Sequence, residues 1–334
     1  MKVVRSSTIY DVAEQAQVSI ATVSRVLNAP ERVNVQTRER VQAAIASLGF
    51  VPRADASARA RKSTCRIGVL APFFSYSSFV QRLQGVAEAL SGSQYDLTIY
   101  NIDTAARRDL YLSHLPMTRR LDGLVIMALP FDEQYVEQIQ AHNLEAVLVE
   151  VSHPKFSSVE IDDFSGGRMV ADYFVERGHR RCGFIGDSHV PAYAIFTSSK
   201  RLDGYRAGLE QRGLQLPDDL VGLAPYGLET ARQTATEILQ RPDRPTAFFV
   251  SSDTQAIGVL RAARDLGLRV PDDLAIIGFD DIEVADYIGL TTVRQPLNES
   301  GRVAADLLLA RMNDRERPVQ RVQLPLQIIH RATA

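Results

Sequence analysis

Apolar positions recur along the chain in two different rhythms. In the first fifty residues Val12, Ala13 and Ala16, then Val23, Val26 and Leu27, then Val41, Ala44, Ile45 and Leu48 repeat at the spacing of amphipathic helices. Thr8 stands three residues before Asp11, as in a capping box. Ser19 precedes the second apolar group as an N-cap, and Asn34 opens the third. Gly49 is placed to end that third helix. Gln17 and Val18 leave only a short turn between the first two helices. On a helical wheel the second helix, 19 to about 28, puts Val23, Val26 and Leu27 on one side and Ile20, Ala21, Ser24, Arg25 and Asn28 on the other. One face is built to pack; the other is small, polar and basic. Two helices joined by so short a turn describe a helix-turn-helix, whose second helix fits the roughly 12 Å major groove of DNA. Arg25 could donate two hydrogen bonds to guanine, while Ile20 and Ala21 offer only apolar contact, for example to a thymine methyl. A plain three-helix bundle is the competing reading.

Beyond residue 65 the rhythm changes. Short apolar runs at 67–71, 97–100, 124–129, 146–151, 182–185, 247–250 and 274–279 read as strands. Amphipathic stretches such as 79–90 and 166–175 fall between them. This βαβ alternation predicts an α/β fold with parallel sheets covered by helices on both faces. Gly213-Leu214-Gln215-Leu216-Pro217-Asp218-Asp219-Leu220 is echoed by Gly267-Leu268-Arg269-Val270-Pro271-Asp272-Asp273-Leu274. Each reads as a helix end turning into the next strand, not as an active site.

Length and charge sharpen this picture. The 334 residues suffice for a large core and a small accessory module. With 45% hydrophobic and 23% charged residues the balance is that of a soluble globular protein. No run approaches the roughly 18 apolar residues of a membrane span. Residues 1–21 lack the pattern of a signal peptide, and two cysteines, Cys65 and Cys182, suit a reducing compartment, so a cytoplasmic location is expected. Net charge is −2, but residues 1–62 carry ten bases and five acids, a +5 head on a −7 body. Such a head suits a polyanion, although a solvated basic surface would look the same. Catalysis is not indicated. His114, His142, His153, His179, His189 and His330 show no paired metal-ligand spacing, and neither a Gly-x-Ser-x-Gly elbow nor a phosphate-cradling glycine-lysine loop occurs. No cofactor and no metal are expected.

The runs Thr8-Ile9-Tyr10-Asp11-Val12-Ala13 and Val18-Ser19-Ile20-Ala21-Thr22-Val23-Ser24-Arg25-Val26-Leu27-Asn28 closely resemble the lactose-repressor family of bacterial transcription regulators. Thr37-Arg38, Leu48-Gly49-Phe50-Val51-Pro52, Arg201-Leu202-Asp203-Gly204-Tyr205 and Ile277-Gly278-Phe279-Asp280-Asp281 continue the likeness in one order over essentially the whole chain. Gln17 departs from it, because many members carry glycine there. The resemblance implies a helix-turn-helix head over 1–51, a hinge over 52–65, and an effector-binding and dimerisation body over 66–334. That body would have two subdomains like those of periplasmic sugar-binding proteins, joined by three crossovers, one over about 66–163 and 296–323 and the other over about 164–295 and 324–334.

The resemblance implies DNA contacts from Thr8, Ser19, Ile20, Ala21, Thr22, Ser24, Arg25, Asn28, Arg32 and a hinge residue. Counting seven on from Pro52 or eight back from Ile67 reaches Arg59, where the family has a leucine wedge. An arginine would lie along a narrow minor groove rather than unstack a base step.

Ligands of open α/β sheets sit beyond the carboxyl ends of strands. The strand ends here, with positions carried over from the family, nominate Phe73, Phe74, Tyr76, Glu150, Arg201, Tyr226, Ser252, Asp253, Asp280 and Gln295 as effector-binding residues. Asp253 and Asp281 also suit helix caps, and Phe73 or Phe74 the core. Carboxylates, a guanidinium and aromatic faces together suit a sugar, with a nucleobase as the alternative. The expected protein is therefore a repressor that binds a pseudo-palindromic operator as a homodimer, without a membrane partner. The absence of a leucine-heptad tail near Ala334 points to a dimer rather than a tetramer. A transport binding protein would share the body but have no use for the head.

Overall fold

The computed structural model describes residues 8–28, 33–48, 50, 65–118, 120–188, 191–195 and 197–334. Arg32, Gly49, His189, Arg59 and the rest of the expected hinge up to residue 64 lie outside the described residues. The chain divides into two compact units, residues 1–64 and 65–334.

The first unit contains α1 (Ile9–Gln15), α2 (Ile20–Asn28) and α3 (Val35–Leu48). Their starts are those the sequence predicts. The Thr8 side chain accepts from the Asp11 amide while the Asp11 carboxylate accepts from the Thr8 amide at 2.6 Å, closing the capping box. The Ser19 hydroxyl accepts from the Thr22 amide at 3.1 Å, and the Asn34 side-chain carbonyl from the Thr37 amide at 2.8 Å. Val12, Ala13, Ala16, Val23, Val26, Val41 and Ala44 form the core. Gln17 makes the turn with φ +50°, the left-handed conformation that glycine adopts without strain.

The second unit holds two six-stranded sheets. The first comprises β1 (Arg66–Pro72), β2 (Asp96–Ile102), β3 (Gly123–Met127), β4 (Glu145–Val149), β5 (Ser157–Glu160) and β11 (Arg321–Gln323), in the order β11-β5-β4-β3-β1-β2. The second comprises β6 (Cys182–Asp187), β7 (Val221–Ala224), β8 (Ala247–Val250), β9 (Ala275–Asp280), β10 (Thr291–Arg294) and β12 (Gln327–Ile329), in the order β12-β10-β9-β8-β6-β7. Every pairing is parallel except β10 with β12. The chain passes between the sheets after β5, after β10 and after β11. Central strands are buried on both faces, which is why they read as continuous apolar runs. The apolar runs mark seven strands and miss β5, β7, β10, β11 and β12, which have three or four residues and lack the four consecutive apolar residues of the equally short β8.

Helices α4 (Ser77–Leu90), α5 (Ala105–Thr118) and α6 (Glu133–Ala141) belong to the first half; α7 (Asp163–Glu176), α8 (Thr197–Gln211), α9 (Leu228–Leu239), α10 (Asp253–Asp265) and α11 (Glu283–Tyr287) to the second. After β10 the helix α12 (Leu297–Asn313) returns to the first sheet, burying Ala304, Ala305 and Leu308 with Val125 and Val147. Both halves contain helix pairs in very close contact. A Cβ on Gly85 of α4 would overlap the Asn298 carbonyl of α12, and a Cβ on Gly204 of α8 would overlap the Phe164 carbonyl of α7. These contacts fix the residues one turn earlier on α4 and α8, which are Arg82 and Arg201.

Candidate functional site

The outer face of α2 is the first candidate. Val23 and Val26 point into the core at 0% and 5% exposure, while Ile20, Ala21 and Arg25 are exposed and Thr22 and Ser24 half-buried. Thr8 and Ser19 are exposed at the helix starts that they cap. Asn28 closes α2. A polar and basic face on a short helix, backed by a compact apolar core, is the form needed to enter a major groove.

The second candidate is a cleft of about 350 Å³ in the body, within the size range of small-molecule sites. It lies where the carboxyl ends of strands from both sheets meet, and its lining includes residues directly after β1 (Phe73), β3 (Ala128), β4 (Glu150), β7 (Pro225 and Tyr226), β8 (Ser251 and Ser252) and β10 (Gln295). Asp187 and Asp280, the last residues of β6 and β9, also line it. Phe73, Ala128, Glu150 and Asp280 hold φ values of +54°, +50°, +63° and +118°. Four non-glycine residues in left-handed backbone at one site mark strain that the surrounding sheets hold in place.

Two arginines organise the polar floor. Arg82 donates to Glu150, to Gln295 at 2.8 Å and to Ser300 at 3.2 Å. Arg201 donates to Asp163 at 2.8 Å and to the Ser251 carbonyl at 2.6 Å, lies 3.6 Å from Asp280, and packs its guanidinium 3.6 Å from the Phe279 ring centroid. Gln295 joins the two clusters by donating to Asp280 at 2.5 Å. Arg82, Gln295 and Asp280 thus bridge elements of the first and second halves. Asp187 accepts from Gln255 at 2.9 Å, and Gln255 in turn accepts from the Ser251 and Ser252 hydroxyls. Burial pushes the carboxyls of Asp187 and Asp280 up to about 6, even though Arg201 acts to lower both.

The wall is aromatic. Phe73 stacks on Tyr76 with centroids 5.0 Å apart, and Tyr76 on Tyr226 at 4.3 Å, both with an interplanar angle of 11°. Burial raises the Tyr226 phenol, so it remains protonated and able to donate. Tyr193 tilts against Phe73, and its loop is tied to the first half through Ile195 N to the Ala128 carbonyl at 2.9 Å and Arg108 to the Ala192 carbonyl at 2.8 Å.

Comparison with known proteins identifies this combination. Residues 8–53 match the bacterial regulatory proteins of the lacI family, and residues 171–334 a periplasmic binding protein-like domain. The HTH-type transcriptional repressor PurR of Escherichia coli O139:H28 is 33% identical over 333 residues, covering 97% of this chain and 96% of that protein. The chain belongs to the lacI family. Among solved structures, the lac repressor dimer bound to operator and the anti-inducer ONPF has a TM-score of 0.78 at 27% identity, covering 98% of this chain and 99% of that one. A complex of the transcriptional regulator CelR with cellobiose has a TM-score of 0.70 at 27% identity, covering 98% and 100%. The protein is thus a DNA-binding transcriptional repressor of the lacI family rather than an enzyme, the class that its head and its motifs predicted.

Within this lacI-family body the fold brings Phe73, Tyr76, Glu150, Arg201, Tyr226, Ser252, Asp280 and Gln295 into one cleft. Two nominated residues are not in it. Phe74 is 40% exposed and outside the lining, because the positive φ of Phe73 turns adjacent rings in different directions. Asp253 is fully buried beneath the floor, accepting from Thr292 at 2.5 Å and from the Ile282 amide at 2.9 Å. Nor does it cap its helix: Ser252 is the N-cap of α10. Asp281 is not a cap either, since it pairs with Arg294 and Arg331. Arg82 and Asp163 are not among the nominated residues, and neither is Asp187, although the sequence places it at a strand end. A signal for Arg82 was present, because Arg82-Leu83-Gln84-Gly85 repeats the pattern of Arg201-Leu202-Asp203-Gly204. No helix among the described residues is long and apolar enough to cross a membrane.

Proposed function

We propose that this lacI-family repressor binds a pseudo-palindromic operator as a homodimer in the cytoplasm and is controlled by a small carbohydrate held in the body cleft. The head over 1–51 supplies the DNA contacts through Thr8, Ser19, Ile20, Ala21, Thr22, Ser24, Arg25, Asn28 and Arg32. Arg59, in the hinge over 52–65, adds a minor-groove contact. The effector is held by the two-subdomain body over 66–334, with subdomains over about 66–163 and 296–323 and over about 164–295 and 324–334.

The observation that carries the effector reading is the meeting of carboxylates, guanidinium groups and a three-ring aromatic stack in one cleft. Carboxylates accept from sugar hydroxyls, arginines donate to them, and aromatic faces pack on sugar C–H surfaces. The relative solved with cellobiose supports the same class. A ligand that favours one closure state of the cleft shifts the population by its differential affinity for that state. The Arg82–Gln295–Asp280 chain joins the two halves across the cleft, so a ligand that alters its closure acts on these bonds.

The test is a thermal-shift and calorimetric screen of saccharides and nucleobases. Each hit is then assayed by anisotropy on an operator selected from a random duplex pool. A carbohydrate that binds and changes operator affinity supports the reading. A response confined to nucleobases, which the aromatic stack would also suit, overturns the effector class. Sedimentation should give a dimer; a stable tetramer at micromolar concentration refutes that part.

A further inference from the structure

We infer that the effector is an uncharged saccharide, and that the cleft rejects the phosphorylated and acidic forms of the same sugars. This rests on the carbohydrate reading of the cleft and narrows it. Among the described lining residues the only cations are Arg82 and Arg201; no lysine or histidine joins them. Both are already matched inside the protein. Arg82 is paired with Glu150, and Arg201 with Asp163 and, at 3.6 Å, Asp280. The lining arginines are 3% and 4% exposed, so water does little to screen them.

Two further observations show that the cleft is short of positive charge before any ligand arrives. Among the described residues, Asp187 faces it with only the neutral Gln255 side chain as a donor to its carboxylate, apart from any hydroxyl that a ligand brings. The carboxyls of Asp187 and Asp280 are both pushed up to about 6, which records the difficulty of keeping them ionised there. A sugar phosphate would bring a further charge of about −1.5 to −2 into this surrounding, and a sugar acid a full negative charge. An anion site would instead offer cations that are not already paired within the protein. A sugar hydroxyl suits what is present: it donates to Asp187, accepts from an arginine N–H, and changes no charge.

The experiment is calorimetry on the full-length protein at pH 7.5 with matched probes: glucose, glucose 6-phosphate and glucuronate; ribose and ribose 5-phosphate; cellobiose and its 6′-phosphate; adenine and hypoxanthine. For the sugar that binds, the charged forms should bind at least 100-fold more weakly than the uncharged one. A phosphate or acid binding as tightly as its parent overturns the inference while leaving a carbohydrate effector standing. Binding confined to the nucleobases overturns the carbohydrate reading itself. Asp187→Asn separates charge from size. It keeps the acceptor for Gln255 but removes a negative charge, so the gap between parent and phosphate should narrow at least tenfold. An unchanged gap would mean that shape, not charge, excludes the anion, and would overturn the inference as well.

Discussion

The two candidate sites of this repressor are built in opposite ways. On α2 the functional face lies outside the core: Arg25 and Ala21 are exposed, and no charged side chain is buried among the seven residues that hold the head together. In the body the functional groups are the interior. Arg82, Arg201 and Asp280 are 3%, 4% and 6% exposed; Gln295 bonds Arg82 to Asp280, and Asp280 lies 3.6 Å from Arg201. A groove-reading face has to be accessible to a large rigid partner, whereas a small ligand is recognised by enclosing it. The consequence is that function and stability separate in the head and cannot be separated in the cleft.

The largest test of that contrast is Arg201→Ala. Removing the guanidinium leaves Asp163 and Asp280 buried without their cation. Unfolding in urea should show a loss of about 3–5 kcal/mol, in addition to loss of effector binding. A variant of normal stability that fails only to bind ligand would break the comparison.

Asp187→Asn should act in the other direction. The carboxyl stands at about 6 in the folded protein, chiefly through burial, against about 3.9 in an unfolded chain. Between those values the folded state keeps a proton that the unfolded chain has released. Stability therefore falls as pH rises through this window, and above about 6 the full cost of about 2–3 kcal/mol is present. The asparagine variant should be more stable than the parent at pH 7 and should lose part of the slope between about pH 4 and 6, to which the other buried carboxyls raised by burial, Asp163, Asp253 and Asp280, also contribute. Denaturant midpoints over a pH series measure this; a parallel pair of curves would remove Asp187 from the account.

In the head, Arg25→Ala should lower specific operator affinity by roughly 1–3 kcal/mol while changing non-specific binding far less and thermal stability hardly at all. Equal loss on operator and random duplex would mean that Arg25 contacts phosphate rather than a base. The smallest effect belongs to the turn. Gln17→Gly should stabilise the isolated head's unfolding transition by about 0.5–1 kcal/mol, because the φ of +50° strains glutamine and not glycine. A destabilised variant would show that the glutamine side chain is the more important feature of that turn.

Several of these features were legible in advance, and the reasons differ. The caps at Thr8, Ser19 and Asn34 and the two faces of α2 are local: each is settled by residues within four positions, so spacing alone reveals them. The strands buried on both faces, β1, β3, β4, β6, β8 and β9, are visible because that burial selects nearly unbroken apolar runs. The short strands β5, β7 and β10–β12 owe their place to neighbours already in the sheets. Phe74 and Asp253 were misjudged because a strand end tells where a residue lies, not where its side chain points. The left-handed turn at Phe73 sends the next ring to solvent, and the pins from Thr292 and Ile282 draw Asp253 under the floor.

The chain alone therefore determined the helix-turn-helix, the α/β alternation and the family, since these rest on local spacing and on motifs that survive as residue types in order. Only the tertiary structure decided which charges meet. Arg82 and Glu150 are bonded across 68 positions, Arg82 and Gln295 across 213, and Arg201 and Asp163 across 38. Whether a guanidinium is available to a ligand or already neutralised depends on such partners, and electrostatics inside a protein follows distance and burial in space, to which separation along the sequence is no guide.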